Sequence, residues 1–305
     1  MNNQAISKPA IGLALGGGAA RGWAHIGIIK SLSDYGIHPE IVTGCSIGAI
    51  VGAAYAAGNL EKLENWLYSL TTPKLARFFE LNLTLKGFVD ADKLSQFLHE
   101  NVCDRELNIE DLEKSFACVA TDLDTGREIW FTEGNAHEGI WSSIALPGLF
   151  PPVKQRGRWL VDGGLVNPVP VSLCRALGAD IVIAVSLNSD LVGRRFSERG
   201  KESSSDNNFL NSIKETLKTY SGSLLKFSSE NQETPPGLID TIVGSMNIVE
   251  DRLTRSRMAG DPPDILLTPK LAYLGLLEFQ RAREAIQEGH ESVTRKLPEI
   301  NFLLG

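Results

Sequence analysis

The segment Gly44-Cys45-Ser46-Ile47-Gly48 constrains the fold of this chain more than any other sequence feature. It lies between a short apolar run that ends at Thr43 and a second apolar run, Ile47–Ala57. A chain that passes directly from a buried strand into a helix needs a sharp turn, and glycines on either side leave room for it. The turn would hold Ser46 in a strained conformation at the positive end of the helix dipole. The pattern predicts a nucleophilic Ser46, with a glycine-rich turn that serves packing alone as the alternative.

The preceding residues repeat the same order of elements. Ala10–Leu15 is a short apolar run that ends in glycines, as expected for a buried strand, and apolar residues recur at helical spacing in Gly22–Tyr35. Strand, helix, strand, helix predicts an α/β fold with a mostly parallel central sheet and helices on both faces. Further strands are predicted at Phe116–Thr121, Glu128–Thr132, Trp159–Val161, Ile181–Leu187 and Ile265–Leu267. The first two of these are predicted to form a hairpin.

We expect one domain over residues 1–305. The length alone suggests about two domains, but α/β folds of about 250 residues occur as single units. Residues 189–208 contain few large apolar side chains and are predicted to form a mobile surface loop. The C-terminal part, 209–305, is predicted to be largely helical, with helices at Phe209–Phe227, Leu238–Met258 and Gly275–Leu297.

Composition excludes several classes of protein. The chain is 43% hydrophobic and 22% charged, as soluble globular proteins are, and its net charge of −7 argues against binding nucleic acid. The run Ile41–Leu60 has no charged residue, but its polar residues and glycines favour a buried helix over a membrane span. The N-terminus is a poor signal peptide, and the four cysteines have no disulfide or metal-site spacing. We expect a cytoplasmic protein, with peripheral contact to a membrane left open.

A glycine-rich loop follows the first predicted strand. Its glycines leave backbone N–H groups unshielded, and such donors can stabilise an oxyanion formed at Ser46. Nucleotide-binding patterns fit the loop badly, because no Lys-Ser or Lys-Thr follows at P-loop spacing and Arg21 occupies the last glycine position of a dinucleotide motif. The loop residues that we consider for the oxyanion site are Gly16, Gly17, Gly18, Ala19, Arg21 and Gly22.

The base that activates Ser46 is predicted to be Asp162. It ends an apolar strand, and Gly163 and Gly164 after it leave space for a nucleophile and a substrate. A carboxylate within hydrogen-bond reach of the hydroxyl can act as the base if burial tunes its pKa. His25 is a second candidate base, although a helix histidine is more often structural. Cys45 is expected to pack in the fold.

A divalent-metal site is a further alternative. Asp122 and Asp124, together with Asp162, contain the oxygen ligands that such a site would need. The sequence from Asp122 to Arg127 is rich in turn-forming residues, however, and has no histidine nearby. We therefore expect hairpin turn chemistry here and no metal.

Three ordered motifs resemble those of the patatin-like phospholipase family. They are Gly17-Gly18-Ala19-Ala20-Arg21-Gly22, Gly44-Cys45-Ser46-Ile47-Gly48 and Asp162-Gly163-Gly164, and flanking sequence at 23–27 and 145–152 also resembles bacterial members. The resemblance implies a three-layer α/β/α sandwich and lipid acyl-ester hydrolysis without a cofactor. It implies Ser46 as nucleophile, Asp162 as base, the glycine loop as oxyanion hole and Arg21 as its support. Ala19 departs from the family, which usually has a glycine there, and its φ must therefore allow the loop conformation.

The substrate and partners are less constrained by the sequence. A lipid or another acyl ester is expected, and the apolar residues of 75–88 or of 209–227 would form either a membrane-contacting rim or part of the core. An acyltransferase that uses the same acyl-enzyme is one alternative function. A regulatory or scaffold protein that retains the fold is another, and the oligomeric state is left open.

Overall fold

A computed structural model describes residues 8–70, 91–147, 149–189 and 238–305. The strands are β1 Ile11–Leu15, β2 Ile41–Cys45, β3 Ser115–Asp122, β4 Glu128–Phe131, β5 Val153–Gln155, β6 Arg158–Asp162, β7 Ile181–Val185 and β8 Ile265–Leu267. The helices are α1 Ala24–Asp34, α2 Ile47–Ala56, α3 Leu60–Tyr68, α4 Ala91–Asn101, α5 Ala136–Ser143, α6 Val171–Ala176, α7 Leu238–Gly260 and α8 Ala282–Leu304.

Within the described residues, these strands form one mixed sheet of eight. Its hydrogen-bonded order is β5-β6-β3-β2-β1-β7-β8, with β4 also paired to β3. The pairs from β3 through β2, β1 and β7 to β8 are parallel, whereas β4, β5 and β6 pair in antiparallel fashion. The predicted α/β class with a mostly parallel sheet is confirmed, as is the β3–β4 hairpin.

The register of β3 places two strand ends opposite each other. Both β2 and β4 pair with Cys118 and Val119, so they lie on opposite edges of β3. Both β4 and β6 pair with Ala120 and Thr121, so β6 lies on the same edge as β2. Because β6 runs antiparallel to β3, it approaches the end of β2 from the other direction. The C-terminal ends of β2 and β6 therefore meet along this edge.

Each face of the sheet carries its own apolar core. Leu13 and Leu15 of β1 belong to the larger core, together with residues of α1, α2 and α8. Ala14, between them, belongs to a smaller core that includes residues of α6. The alternation follows from the two-residue period of a strand and gives the helix–sheet–helix layering that the sequence predicts.

The largest differences from the sequence prediction concern the first helix, the last helix and the short strand β5. The first helix is preceded by a 3₁₀ turn at Ala19–Trp23, and α1 begins at Ala24. The last helix was expected over Gly275–Leu297 but runs from Ala282 to Leu304, because Pro298 lies inside it without ending it. β5 was missed, since it is only three residues long and its turn to β6 relies on positive φ at Arg156 and Gly157.

Some predictions fall on residues that the structure does not describe. The loop expected at 189–208, apart from residue 189, and the apolar segments 75–88 and 209–227 lie outside the described residues. Among the described helices, none is long and apolar enough to cross a membrane.

Candidate active site

Ser46 occupies the sharp turn between β2 and α2. Its φ of 54° and ψ of −124° place it in a conformation that L-residues rarely adopt. A Cβ at Gly44 would collide with the backbone of Ala49, and a Cβ at Gly48 would collide with the carbonyl of Leu15. The two flanking glycines are therefore required by close packing of α2 against β1 and β2.

The Ser46 hydroxyl contacts the carboxylate that the sequence singled out. Ser46 Oγ donates a hydrogen bond to Asp162 Oδ2 at 2.6 Å, although 116 positions separate the two residues. Asp162 Oδ1 accepts from the N–H of Gly164 at 2.8 Å. Thr121 Oγ1 donates to the Asp162 carbonyl at 2.8 Å. The end-to-end approach of β2 and β6 thus brings a hydroxyl and a fixed carboxylate into direct contact.

Burial makes the Asp162 carboxylate more basic than a surface aspartate. The side chain is 1% exposed, and loss of solvation raises its pKa to about 6. The hydrogen bonds from Ser46 and Gly164 oppose this rise, because they stabilise the charged form. The result is a carboxylate that is ionised at neutral pH and still able to accept a proton.

The fold uses only part of the backbone donors of the glycine loop. The N–H of Gly16 donates to the carbonyl of Val185 at 3.1 Å, and that of Gly17 donates to the carbonyl of Pro168 at 3.0 Å. Among the described residues, the N–H groups of Gly18 and Ala19 have no acceptor. Gly17 approaches Ser46 most closely in the described loop contacts, since a Cβ there would lie 3.5 Å from Ser46 Cβ. Ala19 lines a pocket together with Ser46.

Ala19 adopts the left-handed backbone that the family pattern would assign to a glycine. Its φ is 49°, and it lines the apolar pocket together with Ser46. Holding an L-residue in the left-handed backbone conformation costs roughly 1–2 kcal/mol of free energy. The alanine is therefore accommodated with some strain, and its N–H is retained.

Arg21 is buried behind the loop, with its charged group held inside the protein. Its Nε donates to the carbonyl of Leu274 at 3.0 Å, and its Nη1 donates to Asn188 Oδ1 at 3.4 Å. The adjacent Gly22 packs so closely on Ile47 that a Cβ would collide with that side chain. Arg21 thus ties the loop to Leu274 and Asn188, and Gly22 packs it against α2.

The other polar candidates have structural roles. His25 Nε2 donates to the carbonyl of Gly16 at 2.8 Å, and burial lowers its pKa to about 4. Its imidazole therefore supports the loop as a neutral group. Asp122 Oδ1 accepts from the N–H groups of Asp124 and Thr125, as in a hairpin turn. Cys45 is fully buried, and loss of solvation raises the pKa of its thiol.

Three residues near the site were not found from the sequence. Ser143 Oγ accepts from the backbone N–H of Ser46 at 3.0 Å and so fixes the turn. Asn188 Nδ2 donates to Glu250 Oε2 at 2.6 Å. Only the helical spacing of Glu250 with other polar residues of α7 could have indicated a buried polar face there.

An apolar pocket opens beside Ser46. Ser46 is the only hydroxyl-bearing residue among the described residues that line it. The others are Ala19, Trp23, Ile47, Ile50, Trp66, Leu70, Leu94, Phe97, Ile144, Leu146, Leu149, Phe150 and Phe279. A pocket of this lining suits a hydrocarbon chain.

Comparison with known proteins identifies the family. Residues 13–175, more than half of the chain, match the family model described as patatin-like phospholipase. An uncharacterised NTE family protein of Mycobacterium tuberculosis is 30% identical over 95% of this chain and 92% of its own length. Lysophospholipase NTE1 of Pyricularia oryzae is 28% identical over 92% of this chain, which spans 18% of that protein.

Among solved structures, VipD from Legionella pneumophila aligns with a TM-score of 0.39 and 13% identity, covering 96% of this chain and 77% of that one. The family model and the mycobacterial relative both extend across the residues that form the site. The chain is therefore a member of the patatin-like phospholipase family, an enzyme of the ester-hydrolase class.

Proposed function

We propose that this enzyme hydrolyses lipid acyl esters with a Ser46–Asp162 dyad. The observation that carries the proposal is the 2.6 Å hydrogen bond from Ser46 Oγ to the buried Asp162 carboxylate. A hydroxyl that already donates to a base of raised pKa can lose its proton as it attacks a carbonyl carbon. The same hydroxyl borders the apolar pocket, where an acyl chain would lie.

The first half of the reaction forms an acyl-enzyme. Ser46 Oγ bonds to the ester carbonyl carbon while its proton passes to Asp162 Oδ2. The negative charge that develops on the carbonyl oxygen is stabilised by the N–H groups of Gly18 and Ala19, which have no other described acceptor. The bond to the leaving alcohol then breaks, and the alcohol oxygen takes the proton from Asp162.

The second half releases the fatty acid. Asp162, again ionised, accepts a proton from a water molecule as the water oxygen bonds to the acyl carbon. The tetrahedral intermediate collapses, and Ser46 Oγ recovers the proton. Apart from the substrate and this water molecule, the proposed cycle uses only groups of the chain and requires no cofactor.

The apolar lining of the pocket supports a lipid substrate. Phospholipids, lysophospholipids and simpler acyl esters share the feature that it selects, a hydrocarbon chain next to an ester carbonyl. The relatives named lysophospholipase favour the lysophospholipid class.

The four cysteines are all free and buried, which supports a reducing, cytoplasmic location for the enzyme.

A substrate panel tests the proposal. Purified wild-type enzyme and Ser46→Ala are compared on a phospholipid, a lysophospholipid and p-nitrophenyl esters of increasing chain length. Wild-type enzyme is expected to release fatty acid, and Ser46→Ala to lose at least about a thousandfold in rate. An added alcohol acceptor separates hydrolysis from acyl transfer, since transfer would yield a new ester. Full activity of folded Ser46→Ala would disprove the serine mechanism.

A further inference from the structure

Helix α7 buries a polar face beside the dyad. Asn247, Glu250, Asp251 and Thr254 recur at helical spacing, and each is at most 8% exposed. In contrast, Ile248 and Val249 on the same helix are about half exposed. Buried polar side chains are costly unless they are partnered, so this face needs a structural or chemical reason.

Glu250 has contacts that lead to both parts of the site. Its Oε2 accepts from Asn188 Nδ2 at 2.6 Å, and Asn188 Oδ1 accepts from Arg21 behind the glycine loop. Its Oε1 lies 2.7 Å from the position that a Cβ of Gly164 would occupy. Asp162 Oδ1 lies 3.1 Å from the same position. The absence of a side chain at Gly164 is thus what lets the two carboxyl groups approach each other.

We propose that Glu250 is a positioning residue for the dyad: it keeps a proton while Asp162, on the other side of Gly164, is ionised, and its hydrogen bond with Asn188 connects it to Arg21 behind the glycine loop. The proposal rests on the proposed Ser46–Asp162 mechanism. Two ionised carboxylates that are both buried and both border the Cβ position of Gly164 are strongly unfavourable, so one of them keeps a proton. Since Asn188 donates to Oε2, the proton belongs on Oε1, the oxygen that faces Asp162.

The electrostatics of the surroundings agree with this assignment. Burial, together with the smaller effect of the Asp162 charge, raises the pKa of Glu250 to about 8. The hydrogen bond from Asn188 and the charge of Arg21 act in the opposite direction. The Cys45 thiol also interacts electrostatically with Glu250. On α7, the residue next to Glu250, Asp251, is paired with Arg255.

This arrangement predicts an alkaline limit to activity. Between about pH 6 and about pH 8, Asp162 is ionised and Glu250 is neutral. Above this range Glu250 ionises and places a second negative charge beside the base and the developing oxyanion. Because that charge disfavours the transition state, kcat/KM is expected to fall as Glu250 loses its proton.

The first test compares pH profiles of p-nitrophenyl butyrate hydrolysis by wild type, Glu250→Gln, Glu250→Ala and the matched control Asp251→Asn. Glu250→Gln is expected to lose the alkaline decline, since an amide accepts from Asn188 but does not ionise. Glu250→Ala is expected to lower kcat roughly tenfold to a hundredfold with little change in KM, because the base loses its support. Glu250→Gln is expected to recover part of that loss, and Asp251→Asn to keep the wild-type profile.

The second test does not depend on activity. The folded-state pKa of Glu250 lies above its ordinary value of 4.5, so its stabilising contribution is complete below about pH 4.5 and is lost as the pH rises through about 8. The thermal midpoint of wild-type protein is therefore expected to fall, relative to that of Glu250→Gln, across this range. Asp251→Asn is expected to follow wild type.

The two tests separate failure of this inference from failure of the proposed function. If wild-type protein hydrolyses no ester but the midpoint difference is present, the carboxyl pair stands and the enzymatic proposal fails. If hydrolysis depends on Ser46 but an alkaline decline persists in Glu250→Gln, the role of Glu250 is disproved. Identical effects in Asp251→Asn would also disprove it, because they would show a general response to altering α7.

Discussion

At Asp162, two opposing effects set the basicity of the carboxylate. Burial favours the protonated form, whereas hydrogen bonds from Ser46 and Gly164 favour the charged form, and burial is the larger effect. The balance matters because a base with a low pKa would leave Ser46 protonated during attack. A carboxylate in this intermediate range can both accept the serine proton and return it to the leaving alcohol.

The acid limb of the pH profile measures this balance. Because the proposed mechanism needs ionised Asp162, kcat/KM for a p-nitrophenyl ester is expected to rise about tenfold per pH unit below about 6 and to level off above it. The thermal midpoint, followed over the same pH range, shows that the protein stays folded. A limb centred near pH 4 would contradict the account, since it would indicate a solvated aspartate.

The parts of the site that the sequence predicts are those that local chemistry defines. Ser46, with its flanking glycines, and Asp162-Gly163-Gly164 are recognisable because each follows a strand and forms a turn with few allowed residues. Ser143, Asn188 and Glu250 were not predicted, because each reaches the site through tertiary packing from another element. The glycine loop was predicted only in part. Its sequence indicates backbone donors, but the structure is needed to see that the N–H groups of Gly16 and Gly17 bond within the fold and that those of Gly18 and Ala19 have no described acceptor.

At the level of elements, the site depends on how closely α2 approaches the sheet. Gly48 lies against the backbone of Leu15 and Gly16, and Gly44 lies against the first turn of α2. This packing holds the N-terminus of α2 at the end of β2, where Ser46 meets the end of β6. The longer apolar strands were predicted because each has a strong local sequence signal. The short strand β5 and the end of α8 have no such signal and were not predicted.

Substitution at Gly48 tests the need for this approach. Gly48→Ala places a methyl group against backbone atoms that cannot rotate away, so we expect a loss of about 3 kcal/mol in the free energy of unfolding and loss of esterase activity. Gly52→Ala, one turn further along α2, meets only side chains at 3.1–3.5 Å and is the matched control. We expect Gly52→Ala to remain within about 1 kcal/mol of wild type, since alanine also favours the helix. Equal unfolding midpoints in urea would contradict the packing role of Gly48.

Across the whole molecule, the C-terminal helix packs closely against the first helix. α8 crosses α1 where Gly27 and Gly289 allow the two backbones to touch, since a Cβ at either glycine would collide with a carbonyl of the other helix. α1 in turn follows the 3₁₀ turn that contains Arg21. We propose on this basis that the N-terminal and C-terminal parts form a single domain, in which the last helix supports the glycine loop.

Gly289→Ala tests this coupling over distance. The added methyl group would force α8 away from α1, so we expect a loss of about 3 kcal/mol in the free energy of unfolding, together with reduced esterase activity. Gly244→Ala in α7 is the control, because no described atom lies within 4 Å of its Cβ position, and it is expected to gain up to about 1 kcal/mol. If Gly289→Ala destabilised the protein and left esterase kinetics of the folded fraction unchanged, α8 would not support the loop.

The central claim is that Ser46 is a nucleophile activated by Asp162, and covalent labelling with a fluorophosphonate measures it most directly. Intact-mass spectrometry and peptide mapping are expected to find one adduct per wild-type chain, located on Ser46, and none on Ser46→Ala. Asp162→Asn is expected to react at least about a hundredfold more slowly, because an amide cannot accept the serine proton. Folded wild-type protein that stays unlabelled, or an Asp162→Asn variant that reacts at the wild-type rate, would contradict the account.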